Sequence, residues 1–131
     1  AGLVAGLALF GMRATRVLGV SADDPAAEIA ETVRGIIAGV EVDLDAAACS
    51  LQGEISVDDR FTGPGYGIPS ADSEEALRLL ARLEGIVLDP VYTAKAFAGM
   101  LAGVRTGAMV EAKDVLFWHT GGQLALFSRA G

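Results

Sequence analysis

The chain has 131 residues, about the length of one domain, and 52% of them are apolar, which is enough to build a core. Its formal net charge of −7 at pH 7 argues against nucleic acid and anionic membrane surfaces as partners, because both require a basic face. A single cysteine, Cys49, excludes an intrachain disulfide and fits a reducing compartment.

The first forty residues predict a helix, a strand and a second helix. Residues 2–11 are apolar and rich in Gly and Ala, with no basic region before them, so they predict a buried helix and not a signal peptide. The apolar run is also too short to span a membrane. Residues 16–21 are typical of a strand covered on both faces. Asp24 and Pro25 suit the N-cap and first position of an amphipathic helix that continues to residue 40.

The rest of the chain continues this alternation. Residues 41–54 predict a loop with irregular helix. Beyond them the patterns predict strands at 54–61, 86–90 and 115–119, helices at 70–84 and 92–105, and a last helical turn at 123–127. Alternating strands and helices predict an α/β fold, with a mostly parallel sheet covered on both faces, in one domain over residues 1–131. Ligands bind at the carboxyl ends of the strands in such sheets, so the turns after the strands are the expected site.

The first of these turns is the glycine loop in RFTGPGYGIP, residues 60–69. Gly63, Gly65 and Gly67 can adopt positive φ, and the two prolines stiffen the loop. Such a loop presents Tyr66 into a pocket, or it is an Ω-type loop with a structural role only.

Two later turns carry further polar groups. LDPVYTAKA places Tyr92 and Thr93 at the start of a helix, where they either hold a ligand or serve as core and local cap. HTGG places the hydroxyl of Thr120 and the amide of Gly121 after a strand, which suits a ring nitrogen or a phosphate but also a structural turn. Lys95 has the residue type of a Schiff-base lysine, and we interpret it as a solvated helix residue. The chain has one histidine, so we predict no metal site.

In combination, VDDRFTGPGYGIPS, EALRLLARLEGIVLDPVYTAKAFAG and VLFWHTGG resemble the C-terminal part of the D-cysteine desulfhydrase / 1-aminocyclopropane-1-carboxylate (ACC) deaminase family. These enzymes use pyridoxal 5′-phosphate and have the three-layer α/β/α fold of the tryptophan synthase β chain, PLP fold type II. The resemblance implies that Tyr66 and Tyr92 are catalytic, near the cofactor ring and substrate. It also implies that Thr120 binds the pyridine nitrogen and that Thr93 and Gly121 adjoin the cofactor.

The same resemblance implies a substrate class. ACC deaminases typically carry a glutamate after the Val-Tyr pair and a leucine before the Gly-Gly pair, whereas this chain has Thr93 and Thr120 there. β-Elimination on a small sulfur-containing amino acid is therefore favoured, with D-cysteine giving pyruvate, ammonia and hydrogen sulfide. An L-cysteate sulfo-lyase, which also carries HTGG, is a close alternative, and ACC deaminase is a further one. A non-catalytic remnant or partner-binding domain is the alternative from another class.

The resemblance also implies that the chain is part of a longer enzyme. In this family the Schiff-base lysine and a GSGGT-type phosphate loop lie upstream of the AGLVAGL helix with which this sequence begins. We therefore expect the N-terminal part of the fold to be missing and the chain alone to be inactive. The family further implies a homodimer in the cytoplasm when full length.

Overall fold

The computed structural model describes residues 1–12, 14–44, 53–122 and 125. These residues form helices and strands in the order α1 (Gly2–Leu9), β1 (Leu18–Val20), α2 (Ala26–Asp43), β2 (Ser56–Asp58), α3 (Ala71–Glu84) and α4 (Thr93–Arg105). The two strands pair in a parallel sheet, which confirms the predicted α/β class. The chain divides into two compact units, Ala1–Gly19 with Pro25–Asp58 and Val20–Asp24 with Asp59–Gly131.

The first unit is built around α1 and α2. Its buried core is Val4 and Ala5 from α1 with Ile37 from α2, and Val17 and Ile55 from the strand regions pack against it. Helix α1 is apolar on every side, as the small-residue pattern predicts. No helix among the described residues is long and apolar enough to cross a membrane.

The second unit is built on the packing of α3 against α4. Leu88, Ala94 and Phe97 form the centre of its buried core. Phe117 meets Phe97 edge to face, with ring centroids 5.1 Å apart. Helix α4 buries several small residues, and at Gly99 and Gly103 the side chains of Val20 and Met109 lie close to its backbone.

Helix α3 begins and ends where the sequence predicts. The side chain of Ser70 accepts a hydrogen bond from the backbone N of Ser73, and the side chain of Ser73 accepts one from the N of Ser70, which forms a capping box. Gly85 follows the helix with φ of 68°.

Helix α2 begins one residue later than predicted. Pro25, and not Asp24, occupies the N-cap position, and no side chain caps the helix. The reason is a turn held by Ser21, whose Oγ donates to the carbonyl of Asp24 at 2.6 Å and accepts from the N of Asp23 at 3.1 Å. The helix also extends to Asp43, into the segment predicted as a loop with irregular helix.

Two of the four predicted strands are absent. The structure has no strand at 86–90 or 115–119, because a strand requires a ladder of backbone hydrogen bonds to a neighbouring strand. The backbone bond described for 86–90, from the N of Ala94 to the carbonyl of Asp89, is local and belongs to the start of α4. The other two are shorter than predicted, at Leu18–Val20 and Ser56–Asp58. Most of the predicted turn at 123–127 and of the segment 45–54, including Cys49, lies outside the described residues.

Two helical glycines provide a matched test of this packing. A Cβ at Gly99 of α4 would lie 2.9 Å and 3.1 Å from the two methyl groups of Val20 and 3.3 Å from Phe61, whereas a Cβ at Gly39 of α2 would meet nothing within 4 Å. We expect Gly99→Ala to lower the free energy of unfolding by about 1–3 kcal/mol, because Val20 would have to shift and a β-branched side chain has restricted rotamers. We expect Gly39→Ala to raise it by up to about 1 kcal/mol through helix propensity.

Urea denaturation of the two variants beside the parent protein is the measurement. Equal effects of the two substitutions would contradict the close approach of α4 to Val20.

Candidate functional site

The glycine loop that follows β2 is a set of tight turns. Gly63, Gly65 and Gly67 have φ of 68°, 155° and 70°, which confirms the predicted left-handed positions. The loop folds back onto the start of α3, since a Cβ at Gly63 would lie 3.2 Å from the Cβ of Ser70. Tyr66 sits at the middle of the loop with 60% of its surface exposed.

The start of α4 is organised by a buried carboxylate. Asp89 is 0% exposed, and its Oδ1 accepts hydrogen bonds from the backbone N of Val91 at 2.9 Å and of Tyr92 at 2.7 Å. Its Oδ2 accepts from the N of Thr93 at 2.8 Å and from Thr93 Oγ1 at 2.6 Å. Asp89 therefore satisfies three amides at the helix N-terminus that have no partner within the helix.

The same contacts engage Thr93. Its side chain is only 3% exposed, and besides donating to Asp89 Oδ2 its Oγ1 accepts a hydrogen bond from the N of Asp89 at 2.8 Å. The hydroxyl is thus bonded to the residue that caps α4. The prediction that Thr93 adjoins a ligand remains a prediction.

The electrostatics of Asp89 follow from these bonds. Burial on its own raises the pKa of the carboxyl, but the hydrogen bonds from Thr93, Tyr92 and Val91 to the ionised form outweigh it and hold the pKa below its usual value. The carboxylate is therefore charged at neutral pH and stabilises the folded protein in that form.

Tyr66 and Tyr92 meet although they are 26 residues apart in the chain. Their phenol oxygens are in hydrogen-bond contact, and their rings lie edge to face with centroids 5.8 Å apart and an interplanar angle of 67°. Tyr92 is 49% exposed, so both phenols remain accessible. The hydrogen bond with Tyr66 is the main cause that raises the pKa of the Tyr92 phenol above its usual value, with partial burial and nearby carboxylates acting in the same direction. One phenol can therefore donate a proton while the oxygen of the other accepts one.

Lys95 is buried, so its interpretation as a solvated helix residue is wrong. The side chain is 0% exposed, and Nζ donates to three backbone carbonyls, those of Ala22 at 2.8 Å, Thr62 at 2.5 Å and Gly65 at 3.0 Å. Burial lowers the pKa of this lysine, and the charge of Asp23 opposes that shift. All three ammonium hydrogens are used, which compensates for the loss of water around the charge.

The HTGG turn is fixed by its histidine and lies against the start of α4. His119 Nε2 donates to the carbonyl of Val87 at 3.1 Å, and Nδ1 accepts from the N of Gly121 at 3.0 Å. The next residue, Gly122, has no room for a side chain, because a Cβ there would lie 2.5 Å from Asp89 Oδ2. The turn therefore packs on the same carboxylate that caps α4.

Two predicted cofactor-binding residues lie in this turn. The side chain of Thr120 is exposed, as a hydroxyl that binds a ligand has to be. The N–H of Gly121 is donated to His119, so this glycine contributes its φ of 102° to the shape of the turn and not a free amide. Their contact with a cofactor stays a prediction.

The residues that organise this region are Asp89 and Lys95, and the sequence interpretation missed both. An Asp-Pro pair before a helix is a recognisable capping signal, which could have identified Asp89. Lys95 lies within TAKAFAG, between small apolar residues on both sides, and this pattern is typical of a buried helix position. Helix α4 thus connects the motifs, through Lys95 to the glycine loop and through Asp89 to the HTGG turn.

Comparison with known proteins identifies the family. Residues 1–121 match the model of a family described as "Pyridoxal-phosphate dependent enzyme". The chain belongs to the family of pyridoxal-phosphate-dependent enzymes. Among solved structures it is similar to "Crystal Structure Analysis of the ACC deaminase homologue", with a TM-score of 0.79 and 26% sequence identity. The match covers 92% of this chain and 35% of that chain, so the present chain spans about a third of its length.

The described residues fit part of what pyridoxal phosphate requires. The exposed hydroxyl of Thr120 suits the ring nitrogen, and the accessible phenols of Tyr66 and Tyr92 suit polar groups of a bound amino acid. Lys95 does not fit the amine that binds the cofactor's aldehyde carbon, because it is buried and bonded to three carbonyls. The resemblance likewise places that lysine in a different part of the enzyme.

Replacing Asp89 tests the capping of α4. We expect Asp89→Asn to lower the free energy of unfolding at pH 7 by about 1–3 kcal/mol, because an amide group cannot accept on both sides and leaves buried donors unpaired. The folded-state pKa of Asp89 is lowered, so its contribution is complete above about pH 4 and is lost as the pH falls through the folded-state value. The difference in free energy of unfolding between the parent protein and Asp89→Asn should therefore become smaller as the pH falls.

The measurement is denaturant unfolding from pH 7 down to pH 3, with the exposed Asp114→Asn as the control. A difference that stays constant over this range would contradict the charged role of Asp89.

Proposed function

We propose that the complete protein containing this chain is a pyridoxal-phosphate-dependent lyase that eliminates a sulfur substituent from the β-carbon of a small amino acid, with D-cysteine as the favoured substrate. The contact between the phenols of Tyr66 and Tyr92 carries the proposal. It creates an accessible proton donor and acceptor beside the HTGG turn in a family that binds this cofactor. The overall reaction is D-cysteine and water giving pyruvate, ammonia and hydrogen sulfide.

The cofactor, when bound, supplies an electron-withdrawing ring that stabilises negative charge on the substrate α-carbon. In this proposal Thr120 holds the ring nitrogen through its hydroxyl. A hydroxyl is neutral, and therefore it does not force a proton onto that nitrogen. His119 keeps the turn in shape through its two hydrogen bonds, which leaves Thr120 facing solvent.

The tyrosine pair handles the leaving group. When the bond between the β-carbon and sulfur breaks, the electron pair leaves with sulfur and the thiolate needs a proton. One phenol donates that proton while the other, in hydrogen-bond contact with it, stabilises the oxygen that has lost it. A phenol is protonated at neutral pH at its usual pKa of about 10, and the raised pKa of Tyr92 leaves it so.

Thr93 supports elimination over ring opening of ACC. Position 93 is buried against the carboxylate of Asp89. The glutamate that the resemblance associates with ACC deaminases would bring a second carboxylate to this buried charge, at a high cost in this arrangement. The threonine instead donates to Asp89.

Release of sulfite from L-cysteate is the second candidate, since the HTGG sequence is shared with that activity.

The assay uses the full-length product of the gene that encodes these residues, purified with pyridoxal phosphate. D-Cysteine, L-cysteate and ACC are supplied separately, and sulfide, sulfite, pyruvate and 2-oxobutyrate are measured. Sulfide and pyruvate from D-cysteine are the expected products. Sulfite from L-cysteate would show that the protein is a sulfo-lyase. 2-Oxobutyrate from ACC would show that it is a deaminase. Absence of cofactor absorbance would favour the non-catalytic alternative.

The same preparation gives the oligomeric state. On the resemblance alone, we propose that the full-length protein is a homodimer and lies in the cytoplasm. Sedimentation of the full-length protein tests whether it is a dimer.

A double-substitution cycle tests whether the two phenols act as a unit. We expect Tyr66→Phe and Tyr92→Phe each to lower kcat by about 100-fold, because each removes half of the proton-transfer pair and keeps the ring packing. The double variant should be little slower than either single variant. Losses that multiply in the double variant would show that the phenols act independently.

A further inference from the structure

Lys95 occupies a position that the proposed chemistry leaves unexplained. It is a fully buried lysine, and its three hydrogen bonds all go to backbone carbonyls. Two of the acceptors, Thr62 and Gly65, lie on either side of the first turn of the glycine loop, 33 and 30 residues away in the chain. The third, Ala22, lies in the turn after β1, 73 residues away. One ammonium group thus joins α4 to two other segments.

The position of Lys95 on α4 connects this group to the tyrosines. Lys95 follows Tyr92, the N-cap residue of α4, by three residues, so both belong to the first turn at the start of the helix. Gly65, which accepts from Lys95, is directly followed by Tyr66. The helix turn that presents one phenol therefore also holds the loop that presents the other.

We propose that Lys95 is a positioning residue, whose ammonium fixes the glycine loop so that the hydroxyl of Tyr66 meets that of Tyr92. The consequence for catalytic rate rests on the proposed function, whereas the positioning of the two phenols does not. Pro64 and Pro69 stiffen the loop at two positions, but the three glycines with positive φ leave several conformations open to it in the absence of a tether. Within the loop, the described backbone hydrogen bond is the one from the N of Ile68 to the carbonyl of Gly65, at 3.2 Å.

The chemistry explains why the tether is a lysine. An ammonium carries three donors and a full charge on a compact group, which matches three converging carbonyl oxygens. Carbonyl oxygens at 2.5–3.0 Å from the nitrogen also form the kind of ligand set that binds small monovalent cations. The side chain is therefore a covalently attached cation, and a free cation of similar size should replace it.

The test compares three variants of the full-length protein. Lys95→Met removes the charge and keeps an unbranched apolar side chain. Lys95→Ala opens space for a free cation. Lys113→Met, at the exposed second lysine of the chain, is the matched control.

Two readouts are taken for each variant. The first, which needs neither cofactor nor activity, is the yield of the dityrosine cross-link between the peptides carrying Tyr66 and Tyr92 after a brief one-electron photo-oxidation, measured by mass spectrometry. The second is the separate determination of kcat and KM with the substrate identified for the parent protein.

We expect Lys95→Met to lower the cross-link yield and kcat by at least about tenfold, because misplacement of a reacting group costs rate steeply, while KM changes by less than about threefold. Lys113→Met should leave both readouts unchanged. Ammonium or methylammonium ions should restore the cross-link in Lys95→Ala, and tetramethylammonium, which has no N–H and is larger, should not.

The outcomes separate the two proposals. A folded Lys95→Met protein with the parent's cross-link yield would overturn the positioning role. Failure of both Lys95 variants to fold, with no rescue by ammonium, would also overturn it and leave Lys95 as a general stability element. A cross-link that responds as expected in a protein without lyase activity would support the positioning role and overturn the proposed function.

Discussion

The buried charge of Lys95 is the constraint on which the candidate site depends. A charge inside a protein is tolerated only when its hydrogen bonds are all satisfied, and here three carbonyls from two segments satisfy them. The loop depends on Lys95 as well, because the carbonyls of Thr62 and Gly65 lose their hydrogen bonds to the ammonium if the loop moves away. The conformation of a glycine-rich loop is in this way determined by a helix that follows it in the chain.

Asp89 imposes a second constraint, because it is a buried negative charge where Lys95 is a buried positive one. Its carboxylate accepts from three backbone amides and one hydroxyl at the start of α4, and it leaves no space for a side chain at Gly122. Among the described residues, no buried polar side-chain atom lacks a hydrogen-bond partner. Complete satisfaction of two buried charges makes the arrangement of loop, helix start and HTGG turn specific, since any shift leaves a charge or an amide unpaired.

Local patterns in the sequence predicted the elements that depend on local chemistry. The helix at 70–84 and the positive-φ glycines of the loop follow from short-range rules, and the structure confirms them. The strand predictions at 86–90 and 115–119 were wrong because apolar composition alone cannot provide a hydrogen-bonded neighbour. The resemblance brought Tyr66 and Tyr92 into one site, which local patterns could not do. Lys95 was missed because its acceptors are at least 30 residues away and their positions depend on the fold.

The loop and α4 hold the phenols of Tyr66 and Tyr92 in one hydrogen-bonded pair. The most direct test is a titration of the tyrosine side chains by carbon-13 NMR in the full-length protein, with the Tyr92 signal assigned by its loss in Tyr92→Phe. We expect the pKa of Tyr92 to lie above the usual tyrosine value in the parent protein and to fall back toward that value in Tyr66→Phe, since the hydrogen bond to Tyr66 is the main cause of the shift. A Tyr92 signal that titrates with the same pKa in the parent and in Tyr66→Phe would contradict the pair.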